Sequence, residues 1–135
     1  MITNSQYSDI DLSFRPHPGQ VSATGKGDIV PKINEAAVKN SIRNLINFDS
    51  FSKPFNHEIA TNVRRLLFDN VDILTASLLK RSIGNIISTY EPRVVINDIS
   101  VELDHDSYGA KFFIDFTVIN QSNPTKLEIR IDRVR

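Results

Sequence analysis

The chain has 135 residues, enough for one domain around one modest core. Sixteen Lys and Arg balance sixteen Asp and Glu, so no net field draws in nucleic acid or an anionic membrane surface. Cysteine is absent, which excludes disulfides, thiolate metal sites and a cysteine nucleophile and suits a chain made in a reducing cytoplasm.

Met1 to Leu12 carries Asp9 and Asp11 and no apolar run, so it does not read as a signal peptide. No stretch approaches the roughly 20 apolar residues that a membrane-spanning helix needs. Residues 1–31 hold Pro16, Pro18, Pro31, Gly19, Gly25 and Gly27 among small polar residues. Such punctuation disfavours helix and leaves little to bury. An extended arm is expected there, with one short ordered piece at Tyr7-Ser8-Asp9-Ile10-Asp11, and a single domain over 32–135. A loose terminus is the plainer reading.

From Ile33 the pattern turns helical, with Val38, Ile42, Leu45 and Ile46 on one face. Pro54 disfavours helix at Lys53 and breaks the run. Asn56 is the expected N-cap of a second helix carrying Ile59, Val63, Leu66 and Leu67. Thr75 is the expected N-cap of a third, whose core face is Leu79, Ile83, Ile86, Ile87 and Tyr90, with Gly84 a weak point. Pro92 stops it near Tyr90.

After Arg93 the apolar period falls to two. Ile99, Val101 and Leu103 form one alternating set, Phe112, Ile114, Phe116 and Val118 a second, and Leu127, Ile129 and Ile131 a third. The expected class is α+β: about three helices, then a small antiparallel three-stranded sheet. The last strand is an edge. Lys126, Glu128 and Arg130 blunt it in one reading; in the other it docks a partner strand through its backbone.

Candidate chemistry is sparse. His17, His57 and His105 sit at no metal-ligand spacing, and Asp104-His105-Asp106 beside Gly109 reads as a solvated turn. There is no G-x-S-x-G elbow, and Gly25-Lys26-Gly27 is too short for a phosphate loop. No catalytic residue, metal or cofactor is expected. Glycoside hydrolysis would need two carboxylates about 5 to 9.5 Å apart. Glu58 and Glu91 are the nominees, yet Glu58 suits the first turn of a helix, where the dipole favours an anion.

The distinctive local feature is Glu91-Pro92-Arg93. Proline stiffens the link from helix to strand and holds the flanking charges in set directions. They can pair with each other or with a partner's groups. If the corner faces a partner, Arg93→Ala should leave the fold nearly intact.

In chain order, Tyr7-Ser8-Asp9-Ile10-Asp11, Ser41-Ile42-Arg43-Asn44-Leu45-Ile46, Lys53-Pro54-Phe55, Leu67-Phe68-Asp69-Asn70, Leu74-Thr75-Ala76 and Tyr90-Glu91-Pro92-Arg93-Val94 resemble the baseplate wedge and sheath-initiator family of contractile-tailed phages, also related to a type VI secretion baseplate component. Lys53 stands where the family usually has arginine, which removes bidentate geometry. His57 and Ile59-Ala60 replace its usual proline and phenylalanine-glycine.

The resemblance implies a non-enzymatic structural protein of the virion tail baseplate, assembled in the host cytoplasm, with one copy per wedge and six per baseplate. It implies contacts with other wedge proteins, the tail sheath protein and the tail tube, and none with nucleic acid or membrane. Glu91, Pro92 and Arg93 become candidates for the wedge interface, and Leu127, Ile129 and Ile131 for a sheath-docking edge. The alternatives are a lysozyme-like peptidoglycan hydrolase, a label sometimes given to this family, or a small regulatory binding protein of the same fold.

Overall fold

A computed structural model describes residues 7–11, 31–49, 51, 54–55, 58–59, 61–68, 72–104, 109–119, 121 and 123–132. The chain divides into two compact units, Met1–Ser41 and Ile42–Arg135. Their boundary falls within α1 (Asn34–Asn47).

In the first unit, β1 (Ser8–Ile10) pairs antiparallel with β2 (Pro31–Ile33), Asp9 lying opposite Lys32. Tyr7 and Asn34 close its end: the Asn34 N–H donates to the Tyr7 carbonyl at 2.8 Å, and the Tyr7 N–H to Asn34 Oδ1 at 3.3 Å. Asn34 takes φ of 50°, a left-handed conformation that asparagine adopts more readily than most residues. Buried Asn40 donates to Asp9 Oδ2 at 3.2 Å, so its amide is compensated on burial.

In the second unit, the last turns of α1 bury Ile42, Leu45 and Ile46. A carbonyl at a helix C-terminus needs an outside partner. That of Ile46 accepts the buried Thr61 hydroxyl at 2.8 Å. The Thr61 carbonyl in turn accepts the Ser82 hydroxyl at 3.1 Å, which ties the segment before α2 (Val63–Phe68) to α3 (Ile73–Tyr90).

Three antiparallel strands follow in the order β3 (Val94–Asp104), β4 (Gly109–Val118) and β5 (Pro124–Asp132). Phe112, Ile114, Phe116 and Val118 of β4 are essentially inaccessible, and Leu127, Ile129 and Ile131 of β5 are 4–5% exposed. Each such side chain contributes roughly 1.5–3 kcal/mol on burial, against ~0–1 for an exposed ion pair. The core, not the surface charge, therefore holds this unit together.

The β4–β5 register is unbroken, whereas β3 has one extra residue between Ile96 and Asp98. This bulge shifts the inward set from Val94 to Ile99, because adding one residue exchanges the faces. Asn97 Nδ2 donates to Asp115 Oδ1 at 3.3 Å and to Thr117 Oγ1 at 3.0 Å. On the other flank of β3, Lys80 of α3 pairs with Asp98 at 3.1 Å.

The α+β class stands, with the added two-stranded sheet of the first unit as the difference in strand count. The second helix is shorter than its apolar stripe, beginning at Val63; Asn62, with φ of 49°, interrupts it, although Ile59 is buried all the same. The third helix is capped by Asp72 rather than Thr75: the Asp72 carboxylate accepts the Thr75 N–H at 2.8 Å and its hydroxyl at 3.0 Å. In β3 only Ile99 of the expected inward set is buried, Val101 and Leu103 being half-buried. Most of the expected arm, His17, Lys53, Asn56, His57, Asp69, Asn70, His105 and, of the expected turn, Asp106, Ser107 and Tyr108 lie outside the described residues.

Candidate functional site

The corner between α3 and β3 is secured by backbone bonds on both sides. The Glu91 N–H caps α3 on the Ile87 carbonyl at 2.8 Å, as expected where a residue before proline leaves the helix. The Ile119 N–H donates to the Arg93 carbonyl at 2.8 Å, so the β3–β4 ladder starts at the corner itself.

Between these ties, Arg93 Nε donates to Glu91 Oε1 and Arg93 Nη2 to Glu91 Oε2, the latter at 2.6 Å. Two parallel charge-assisted bonds fix the guanidinium plane as one could not. The two members differ in access: the Glu91 side chain is 2% exposed and that of Arg93 32%. Of the two contacts that the sequence allows, the structure holds the internal one, Glu91 and Arg93 bonding to each other. Arg93, half-buried, and Pro92, exposed, are the parts of the motif that reach the surface.

Two exposed apolar residues flank the corner, Val95 and Ile119, at 57% and 44%. Single exposed apolar residues carry little information in a sequence. Only their shared place, at the sheet end where Arg93 sits, draws attention to them.

Leu127, Ile129 and Ile131 turn their side chains into the core, so what β5 offers along its outer edge is backbone. Its solvent face presents Lys126, Glu128, Arg130 and Asp132, all exposed. The Arg130 guanidinium bonds Asp132 at 2.7 Å and lies 3.9 Å from Asp104, and the Asp132 contact holds its proton more firmly than usual.

The carboxylates nominated for hydrolysis are not alike: Glu58 lies in an exposed turn and Glu91 is the buried partner of Arg93. A shallow concavity of about 480 Å³ on the solvent face of the sheet includes Asp98, Asp115, Lys126 and Glu128. Bonding by Lys80 holds Asp98 below the usual carboxylate range, the opposite of what a general acid needs. Among the described residues no group of three or more His, Cys, Asp or Glu is placed to hold a metal ion. None of their helices is long and apolar enough to cross a membrane.

The fold is shared with two solved structures. A protein of Geobacter sulfurreducens, described in its crystal structure as a tail lysozyme, superposes with a TM-score of 0.65 at 12% identity, over 73% of this chain and 89% of its own. A chain in the baseplate of the anti-feeding prophage gives a TM-score of 0.60 at 14% identity, over 92% and 83%. At such identities the likeness is one of fold. No protein-family model matches the chain. In sequence it is 30% identical over 125 residues to baseplate wedge protein gp25 of Enterobacteria phage T4, covering 93% of this chain and 88% of that protein. The chain belongs to the baseplate wedge protein gp25 family and is a structural component of the tail baseplate.

Proposed function

We propose that this protein joins the inner wedge of a contractile-tail baseplate to the first sheath ring, and that it starts sheath assembly by accepting sheath strands on its small sheet. The observation that carries the reading is the β5 edge: nine residues in unbroken register with β4, with no strand beyond it among the described residues. An incoming strand gains backbone hydrogen bonds along such an edge without displacing a core side chain. Leu127, Ile129 and Ile131 then act by keeping β5 straight and seated.

The wedge contact is assigned to Pro92 and Arg93, with Val95 and Ile119 as apolar neighbours, and Glu91 orients Arg93 from beneath. The other partners are the wedge proteins around it and the tail tube. Six copies per baseplate agree with the six-fold symmetry of the anti-feeding prophage baseplate. The role is that of a scaffold, not an enzyme. An ion-paired, buried Glu91 is poorly suited to deliver a proton.

Hydrogen exchange on dilute protein, before and after sheath rings form on purified wedges, tests the docking. Slower exchange along 124–132 is expected, with β3 little changed. Unaltered exchange along 124–132 in assembled rings would sink the strand-docking step. Mass spectrometry of purified particles separates a baseplate component from a free regulatory protein. The hydrolase reading, which has the Geobacter fold neighbour in its favour, is met by a cell-wall turnover assay. Turnover abolished by Glu58→Gln or Glu91→Gln would overturn the scaffold reading.

A further inference from the structure

We propose that in the free protein the outer edge of β5 is covered by the same edge of a second copy, making a two-fold dimer with one continuous six-stranded sheet. The argument rests on the order of charges along the strand. Lys126, Glu128, Arg130 and Asp132 alternate in sign on its solvent face. Antiparallel self-pairing centred on Ile129 sets Lys126 opposite the second copy's Asp132, and Glu128 opposite the second copy's Arg130. Symmetry makes each pair twice. On the inner face, Ile129 meets itself and Leu127 meets Ile131, apolar against apolar.

Neighbouring registers fail. Centring on Glu128 opposes that residue to itself and Lys126 to Arg130; centring on Arg130 opposes it to itself and Glu128 to Asp132. Like charges directly opposite destabilise a strand pair. A slip to the other parity places charged side chains across from apolar ones. Centring on Leu127 pairs Lys126 with Glu128 but leaves Arg130 opposite Pro124. Only the register about Ile129 neutralises all four charges. The bonds of Arg130 to Asp132 and Asp104 are between exposed groups, whose exchange for new partners costs little.

The dimer does not depend on sheath docking, although both use one edge; the exchange experiment above addresses docking separately. Sedimentation equilibrium of the full chain from about 1 to about 300 μM tests it. A monomer–dimer equilibrium is expected. Glu128→Arg or Arg130→Glu alone should weaken the dimer by about tenfold or more, and the double exchange should restore it to within about threefold. Lys126→Asp with Asp132→Lys forms a second, independent swap, should a variant of the first lose its fold by circular dichroism. A wild-type chain that stays monomeric throughout, single variants that dimerise as well as wild type, or double exchanges that restore nothing would each overturn the proposal.

Discussion

Arg93 grips Glu91 from two residues away through Nε and Nη2 of its guanidinium, and the carboxylate it grips is among the most deeply buried groups of the described residues. If the corner served only to face a partner, Arg93 could be removed with little harm to the fold. The buried partner changes that expectation, because truncating one member of such a pair withdraws compensation from the other.

Arg93→Ala should therefore destabilise the free protein by roughly 2 kcal/mol, below the ~3–5 of a fully buried pair because Arg93 is partly exposed. Arg93→Lys, which keeps the charge and loses the fork, should fall between. Urea denaturation measures both. Equal midpoints for wild type and Arg93→Ala would mean that Glu91 is held without the guanidinium.

Thr61→Val removes a hydroxyl at nearly constant shape and takes a partner from the Ile46 carbonyl. A loss of about 1–3 kcal/mol is expected, and Thr61→Ser should recover most of it. Thermal unfolding of the two variants decides the matter.

Gly84→Ala should stabilise. A Cβ built there would lie 3.6 Å from Ile99 Cδ1, an ordinary contact. The gain in helix propensity, about 0.5–1 kcal/mol, is then not offset by a clash. A lower melting temperature would show that α3 packs more tightly on β3 than this spacing implies.

Asp72 gives a pH signature. Hydrogen bonds from Thr75 hold its carboxyl below the usual value of 3.8. A depressed folded-state value contributes stability above the unfolded-state pKa, and that contribution disappears as pH falls through the folded one. Wild type should thus exceed Asp72→Ala in stability at pH 7, with the gap closing as pH drops below about 4. Asp72→Asn, still a competent cap, should be milder. A gap independent of pH would assign the effect to something other than the ionised cap.

Period-two alternation made the strands legible, since Phe112 to Val118 and Leu127 to Ile131 have one wet face and one dry. The helix end at Tyr90 was legible because proline restricts the residue before it. What periodicity reports is burial rather than conformation: Ile59 belongs to the stripe of the second helix yet lies outside it, behind the left-handed Asn62. The cap moved from Thr75 to Asp72 because both types suit the role and geometry chooses between them. The pairing of Ser8–Ile10 with Pro31–Ile33 joins distant short segments, so no local pattern announces it. At the corner, proline marked the place, but the burial of Glu91 and its choice of Arg93 emerged only from packing.

The extra residue at Asn97 has a consequence for growth. It interrupts the β3–β4 register, while the β4–β5 register is unbroken. A sheet receptive on both flanks can be lengthened from either side and so propagate without limit. One that is irregular on the first flank and regular on the second is lengthened most readily from the second. For the docking proposed on β5, the bulge at Asn97 leaves that strand as the regular flank of the sheet.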